Sequence, residues 1–279
     1  MWYNSYKRNF EEIFMSYTLE QNRLSKSGIE EKLSEKTRSL VKIEYYDTCD
    51  STNRIAKAAD ITSPVTVFVA NGQTAGRGRL GRSFHSASGT GIYMSLLYKP
   101  SSDVADALFI TRYAAVKLAR AIESQSGVKC KIKWVNDLYI NGKKVAGILT
   151  EGVADTEHGG LERVVLGVGI NVCHTAFPDE LATVATSIED ECGKSPDREQ
   201  LAAKVIDELV SDLSSLCTPD IVGEYRERSC LIGRRVTVTR AGESYFAEVV
   251  DIADSGALVI RTEHGIEELI TGDVSIRPI

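Results

Sequence analysis

The segment GRGRLGR at residues 76–82 alternates three arginines, Arg77, Arg79 and Arg82, with three glycines, so fixed positive charges sit on backbone with little other bulk. That combination suits anions. A planar guanidinium offers paired donors that match carboxylate and phosphate oxygens, and glycine lets the backbone come close to what is bound. The string also satisfies G-x-G-x-x-G, which marks a dinucleotide site only where it follows a strand and opens a helix. VTVFVA at 65–70 reads as the strand, but Gly81 leads through serine, aromatic and glycine residues into the strand-like GIYMSLLY at 91–98. The dinucleotide reading therefore fails, and an anion loop stands against a merely solvated basic loop.

Three further stretches carry polar groups where scaffolding alone does not call for them. Asp50-Ser51-Thr52-Asn53 precedes an alanine-rich helical run; capping accounts for one of these residues and leaves hydroxyl or amide groups over for a ligand. KIKWVNDLYINGKKVAGILTE at 131–151 has Asn141-Gly142 between two alternating apolar runs, a strong hairpin signal. Pairing its strands brings Asn136, Asp137 and Lys144 onto neighbouring backbone. Lys133 and Lys144 sit among Ile, Trp, Val and Leu, where the alternative to a function is a side chain snorkelling from an edge. RVVLGVGINV at 163–172 reads as a core strand broken by Gly167 and Gly169, glycines that mark a bulge or a close approach to the backbone.

The elements that must position these groups alternate along the chain. A helix pair interrupted at Ser27-Gly28 is expected within 19–40, then the strand at 41–46, a scaffold helix over 104–124, a long loop with one short helical piece over 173–198, a helix over 200–216 and a last one over 219–229. From Leu231 short strands alternate with glycine turns, which predicts a small barrel. The expected division is an N-terminal extension and helical lead-in at 1–40, a large domain carrying these polar motifs at 41–230 and a barrel at 231–279. With 279 residues, 43% hydrophobic, 26% charged and a net charge of −6, this is an ordinary globular composition and not that of a protein living on nucleic-acid backbone. Six cysteines without a C-x-x-C pair and no apolar run of about 20 residues argue against a disulfide framework, a zinc site and a membrane span. A cytoplasmic protein is expected.

Taken together, DSTN, GRGRLGR, KWVNDLYINGKKVAGIL, GVGIN and the C-terminal strand set resemble the biotin protein ligases, over residues 41–279. The resemblance implies an α+β fold: a mixed β-sheet flanked by helices, in the manner of class II synthetases, followed by a small SH3-like barrel. It implies ATP-dependent activation of biotin to biotinyl-5′-AMP, then transfer to a lysine of the biotin carboxyl carrier protein of acetyl-CoA carboxylase. Mg²⁺ is expected with ATP, held largely by phosphates, so its protein ligands are left unassigned. By the same resemblance, Lys144, Asp137, Arg79 and Lys133 are the catalytic set. Biotin falls to Ser51, Thr52, Asn53, Gln73, Gly76, Arg77, Gly78, Arg79, Lys144 and Gly147; the nucleotide falls to Arg79, Arg82, Phe84, Asn136, Lys144, Asn171 and Arg277. Val135 stands where the family has proline. The short stretch before Val41 points to the monofunctional type without DNA binding; a homodimer is left open. The alternatives are a lipoate or octanoate ligase and a non-catalytic ligand-binding regulator.

Overall fold

The computed structural model describes residues 24–100, 107–154, 161–213, 219–240, 243–270 and 274–278. A seven-stranded sheet forms the centre, in the order β1-β2-β3-β7-β6-β5-β4. Its strands are β1 (Val41–Tyr46), β2 (Val65–Ala70), β3 (Gly91–Tyr98), β4 (Lys131–Lys133), β5 (Asp137–Ile140), β6 (Lys143–Ala154) and β7 (Leu161–Asn171). β1 and β2 run parallel and every other neighbouring pair is antiparallel, so the sheet is mixed as expected. β2 and β3 are buried along their whole length, in keeping with their nearly continuous apolar sequences.

One face of the sheet carries a helical layer of α1 (Lys26–Lys32), α2 (Glu35–Arg38), α4 (Ala107–Ser126), α7 (Arg198–Val210) and α8 (Pro219–Glu227). The other face carries α3 (Thr52–Ala58), whose Ala56 packs on Phe68, Leu97 and Val165. The two short helices α5 (Asp179–Ala182) and α6 (Ile188–Cys192) lie in the connection after β7.

Several sequence expectations are corrected here. Ser27-Gly28 does not interrupt a helix: Ser25 caps α1 by accepting from Gly28 N, and a Cβ at Gly28 would strike the Glu199 carboxylate. The break falls at Leu33-Ser34, where Ser34 caps α2. Gly167 and Gly169 do not break β7, which is continuous. The connection at 173–198 holds two helical pieces, not one. The first residues of the expected 104–124 helix lie outside the described residues, and α4 begins at Ala107.

The C-terminal strands are β8 (Arg235–Arg240), β9 (Glu243–Ile252), β10 (Leu258–Thr262), β11 (Gly265–Leu269) and β12 (Val274–Pro278). They form an antiparallel sheet in the order β11-β10-β9-β8-β12. The last strand returns to pair with the first, yet β11 and β12 remain the two edges, so among the described residues the barrel is not closed by hydrogen bonds. This unit is tied to the larger sheet through its 253–256 turn. Trp134 Nε1 donates to Gly256 O at 2.8 Å and Arg112 Nη1 to Asp254 O at 2.9 Å. Gly256 has φ +89°, and a Cβ there would meet the Arg112 side chain, so only glycine suits both the turn and the contact.

Candidate active site

Strand register builds the floor of a cleft on the α3 side of the sheet. Tyr93 pairs with Gly169, Gly169 with Gly147, Gly147 with Asp137 and Asp137 with Lys133, so one row crosses five strands. Because side chains alternate faces along a strand, this row presents two glycines flanked by a carboxylate and an ammonium. The Phe84 ring lies over the glycines: a Cβ at Gly169 would sit 2.6 Å from the ring and one at Gly147 3.4 Å. In the adjacent row Ser95 pairs with Gly167, where a Cβ would lie 1.9 Å from Asn53 Oδ1. The glycines of GVGIN are therefore sites of close approach. Gly167→Ala is expected to lower unfolding stability by about 1–3 kcal/mol through overpacking against Asn53; an unchanged denaturant midpoint would contradict this.

The start of α3 supplies Ser51, Thr52 and Asn53, all buried and all lining the cleft. Ser51 is the N-cap residue, but its side chain makes no capping hydrogen bond. The Gln73 side chain does that work instead: its Oε1 accepts from Thr52 N at 2.8 Å, and its Nε2 donates to Ser86 Oγ at 3.0 Å. The amide orientation of Gln73 follows from these two partners.

Residues 76–84 form a small closed loop. Phe84 N donates to Gly76 O, Gly78 N to Arg82 O and Arg82 N to Arg79 O. Its tip is a 3-10 turn, Arg79–Gly81, with Leu80 at φ 56° and 60% exposed. The three arginines differ. Arg77 and Arg82 are exposed, whereas Arg79 is half-buried and donates to Asn136 Oδ1 at 3.3 Å. Burial pulls the Arg79 guanidinium below its ordinary pKa, with Asp137 opposing.

Across from the loop, Lys144 Nζ lies 2.7 Å from Asp137 Oδ1 and 5.8 Å from the centre of the Phe84 ring. The backbone of Lys144 is held by the connection after β7, with Lys144 N donating to Val184 O and Thr186 N to Lys144 O. Asn136 is anchored by its Nδ2, which donates to Ile148 O at 2.7 Å. The Trp134-Val135 peptide is cis, and Val135 O accepts from the buried Tyr225 hydroxyl at 2.9 Å.

The cleft thus gathers most of the residues marked in the sequence: Ser51, Thr52, Asn53 and Gln73; Arg77, Gly78, Arg79, Arg82 and Phe84; Lys133, Asn136, Asp137, Lys144 and Gly147. Gly76 and Asn171 are not among its lining. Gly76 lies at the closed base of the loop, where a Cβ would meet Phe84 O and Ser86 Oγ at 2.5 Å. Asn171 is two residues beyond Gly169 on the same side of β7, but the 184–187 segment covers it and Thr186 O takes its Nδ2 at 3.0 Å. Arg277 belongs to β12, and its side chain lies outside the described residues. Two residues that sequence reasoning passed over, Ser95 and Glu151, buttress the α3 start. A lone serine in the apolar run GIYMSLLY was the available signal for the first.

Five cationic side chains and one carboxylate line this cleft, although the whole chain carries −6. Such a field attracts and holds several negative charges at once. No group of three or more His, Cys, Asp or Glu side chains able to hold a metal occurs among the described residues. The single lining carboxylate is already engaged by Lys144.

The Biotin/lipoate A/B protein ligase family matches residues 45–171, and the Biotin protein ligase C terminal domain matches residues 231–277. The Bifunctional ligase/repressor BirA of Bacillus subtilis is 33% identical, covering 83% of this chain and 73% of its own length. The Biotin--[acetyl-CoA-carboxylase] ligase of Mycobacterium tuberculosis is 32% identical, covering 79% of this chain and 82% of its own. Among solved structures, the biotin protein ligase from Aquifex aeolicus in complex with biotin and ATP aligns with TM-score 0.75 and 28% identity, over 85% of this chain and 99% of that one. With the mixed sheet and the basic cleft built on its glycine row, these matches make the chain a member of the biotin protein ligase family.

Proposed function

We propose that the cleft activates biotin with ATP and hands it to a carrier lysine. One biotin carboxylate oxygen attacks the α-phosphorus, pyrophosphate leaves, and biotinyl-5′-AMP results. A lysine amine of the carrier then attacks the acyl carbon, AMP leaves, and an amide forms. The observation that carries this reading is the Lys144–Asp137 pair set among four further cations. A carboxylate and a triphosphate repel one another: two unit charges 4 Å apart oppose by about 4 kcal/mol at an effective dielectric of 20. Bonding both to Lys144 and Arg79, with Arg77, Arg82 and Lys133 around them, offsets that repulsion and aligns the attack.

In this reading Ser51, Thr52, Asn53 and Gln73 take the ureido ring, with Gly78 and Gly147 admitting the bicycle against backbone. Phe84, Asn136 and Arg82 belong to the nucleotide side. Lys133, next to Asp137 in the glycine row, completes the catalytic set. Asp137 accepts the proton of the incoming amine, whose pKa in water is near ~10.4 and which attacks only when neutral. The side chains at the cleft do not make a magnesium cage; a Mg²⁺ ion accompanying ATP would take its ligands from phosphate oxygens and water. Residues 231–279 are read as a separate domain, and the carrier as the biotin carboxyl carrier protein of acetyl-CoA carboxylase, in keeping with the name of the mycobacterial relative. No described helix is long and apolar enough to cross a membrane; a cytoplasmic site of action belongs to the same reading.

The test is pyrophosphate release from ATP with biotin, then with lipoate or octanoate in its place, followed by transfer of label to the carrier domain. Release with biotin alone and labelling of a single carrier lysine are expected. No release with biotin overturns the proposal, and release with lipoate in its stead moves the chain to the lipoate branch.

A further inference from the structure

The arginine loop is closed at its base by a buried junction whose central hydroxyl does not line the cleft. Gln73 N donates to Ser86 O at 3.1 Å and Phe84 N to Gly76 O at 2.9 Å, so the chain entering the loop runs beside the chain leaving it. Between them sits the Ser86 hydroxyl, 3.0 Å from Gln73 Nε2 and 3.0 Å from Phe84 O. Ser86 is 6% exposed and stands outside the cleft lining, whereas Gln73 and Phe84 both belong to it.

We propose that Ser86 is a positioning residue for both sides of the cleft: one hydroxyl sets the Gln73 amide on the biotin side and the Phe84 peptide on the nucleotide side. Its role deepens the biotin reading and rests on it. Each bond has a fixed direction. A peptide carbonyl only accepts, so the Ser86 proton goes to Phe84 O, and a remaining lone pair takes an N–H of Gln73. The other end of the Gln73 amide is already held, because Oε1 accepts from Thr52 N at 2.8 Å and from Thr52 Oγ1 at 3.2 Å. Anchored at both ends, the amide has its plane set before a ligand arrives.

Phe84 is fastened in the same way. Its N–H is bound to Gly76 and its carbonyl to Ser86, which keeps its ring over Gly147 and Gly169. Among the described residues no other group donates to Phe84 O. Gly76 makes the junction possible. A Cβ there would stand 2.5 Å from both Phe84 O and Ser86 Oγ and 3.1 Å from Gln73 Nε2, so only a glycine lets the three meet. Gly76 therefore serves the site through this junction.

Ser86→Ala removes the hydroxyl and little bulk. Three quantities are measured: the calorimetric Kd for biotin, the ATP dependence of adenylate formation in a single turnover, and transfer from preformed adenylate to the carrier domain. They are compared in the wild type, in Ser86→Ala, and in Gln73→Ala and Phe84→Ala with and without Ser86→Ala. Tyr113→Phe serves as a control, since it removes a buried hydroxyl bonded to Glu208 O and Leu209 O in the helical layer.

Ser86→Ala is expected to raise the biotin Kd about tenfold and the half-saturating ATP concentration by about three- to tenfold. Transfer from preformed adenylate should change by less than about twofold, because Lys144 and Asp137 are held by other elements. In the Gln73→Ala background the effect on biotin should shrink to within about twofold, and in Phe84→Ala the effect on ATP should shrink likewise, as expected of residues acting through one another. Tyr113→Phe should lower the melting temperature and leave both affinities as they were. Losses that persist undiminished in both backgrounds would mean that Ser86 merely supports the fold, and overturn the proposal. So does wild-type affinity for biotin and ATP in Ser86→Ala. A wild type that binds no biotin sinks the functional reading, and the role of Ser86 with it.

Discussion

Lys144→Ala is expected to slow adenylate formation in a single turnover by about 10²- to 10³-fold, the usual consequence of removing one preorganised charge partner from a developing anion. Here the loss is compounded. Lys144 is paired with Asp137 at 2.7 Å, so its removal also takes the ion-pair partner from a carboxylate where another carboxylate and a phosphate must gather. A neutral replacement of similar length, Lys144→Met, separates charge from packing against Phe84: it keeps the stem that lies near the ring and loses only the ammonium. Both variants should fail alike. Near-normal adenylate yield in either would contradict a role for Lys144 in joining the two anions.

Asp137→Asn should act on the other half of the reaction. Lys144 keeps its charge and the amide keeps an oxygen near it, so biotin and ATP still meet and adenylate accumulates. What disappears is the acceptor for the proton of the incoming amine. Transfer from preformed adenylate to the carrier domain is expected to fall by about 10²-fold or more, within the range of general-base effects. Raising the pH should recover part of the rate, because the free amine then arises without help. Equal slowing of both half-reactions would mean that Asp137 only positions Lys144.

The two sets of variants read different things because the residues, though in contact, sit on different strands. Asp137 lies in the row with Gly147 and Gly169, while Lys144 stands three residues before Gly147 on β6, beyond the irregularity between Leu138 and Tyr139. A plain two-residue hairpin predicts that both strands are near each other. It does not predict which side chains meet. The register shift and the 184–186 segment, which pairs with the Lys144 backbone, aim the ammonium at the carboxylate.

Much of the cleft's lining was legible from residue types alone, because a pocket for several anions demands unusual ones. Arginines spaced by glycines, lysines inside apolar runs and a serine-threonine pair at a helix start are costly or idle without a ligand, and all of them converge on the cleft. Asn171 misled for the opposite reason. Its position two residues past Gly169 is right for the cleft side, but a distant connection covers it, and sequence spacing carries no information about what a loop will cover. The helix start at Ser51 was readable as a start; that Gln73 would cap it and leave the Ser51 hydroxyl uncommitted was not.

By itself the sequence determined which groups this protein brings to its ligand, the mixed sheet, the C-terminal strand set and the family. The groups and the C-terminal strands follow from local periodicity, turn chemistry and residue type, each a property of a short stretch; the mixed sheet and the family followed from the resemblance of the assembled motifs to the biotin protein ligases. Only the tertiary structure decided that Gly167 and Gly169 make room for Asn53 and Phe84, that Arg79 alone of the three loop arginines is drawn inward, and that the last strands stop short of a closed barrel. It also joined Glu151 to Thr52 through Asn53 and Ser95. Those are relations between segments far apart in the chain, set by strand register and by the close packing of buried polar groups, and no single stretch contains them.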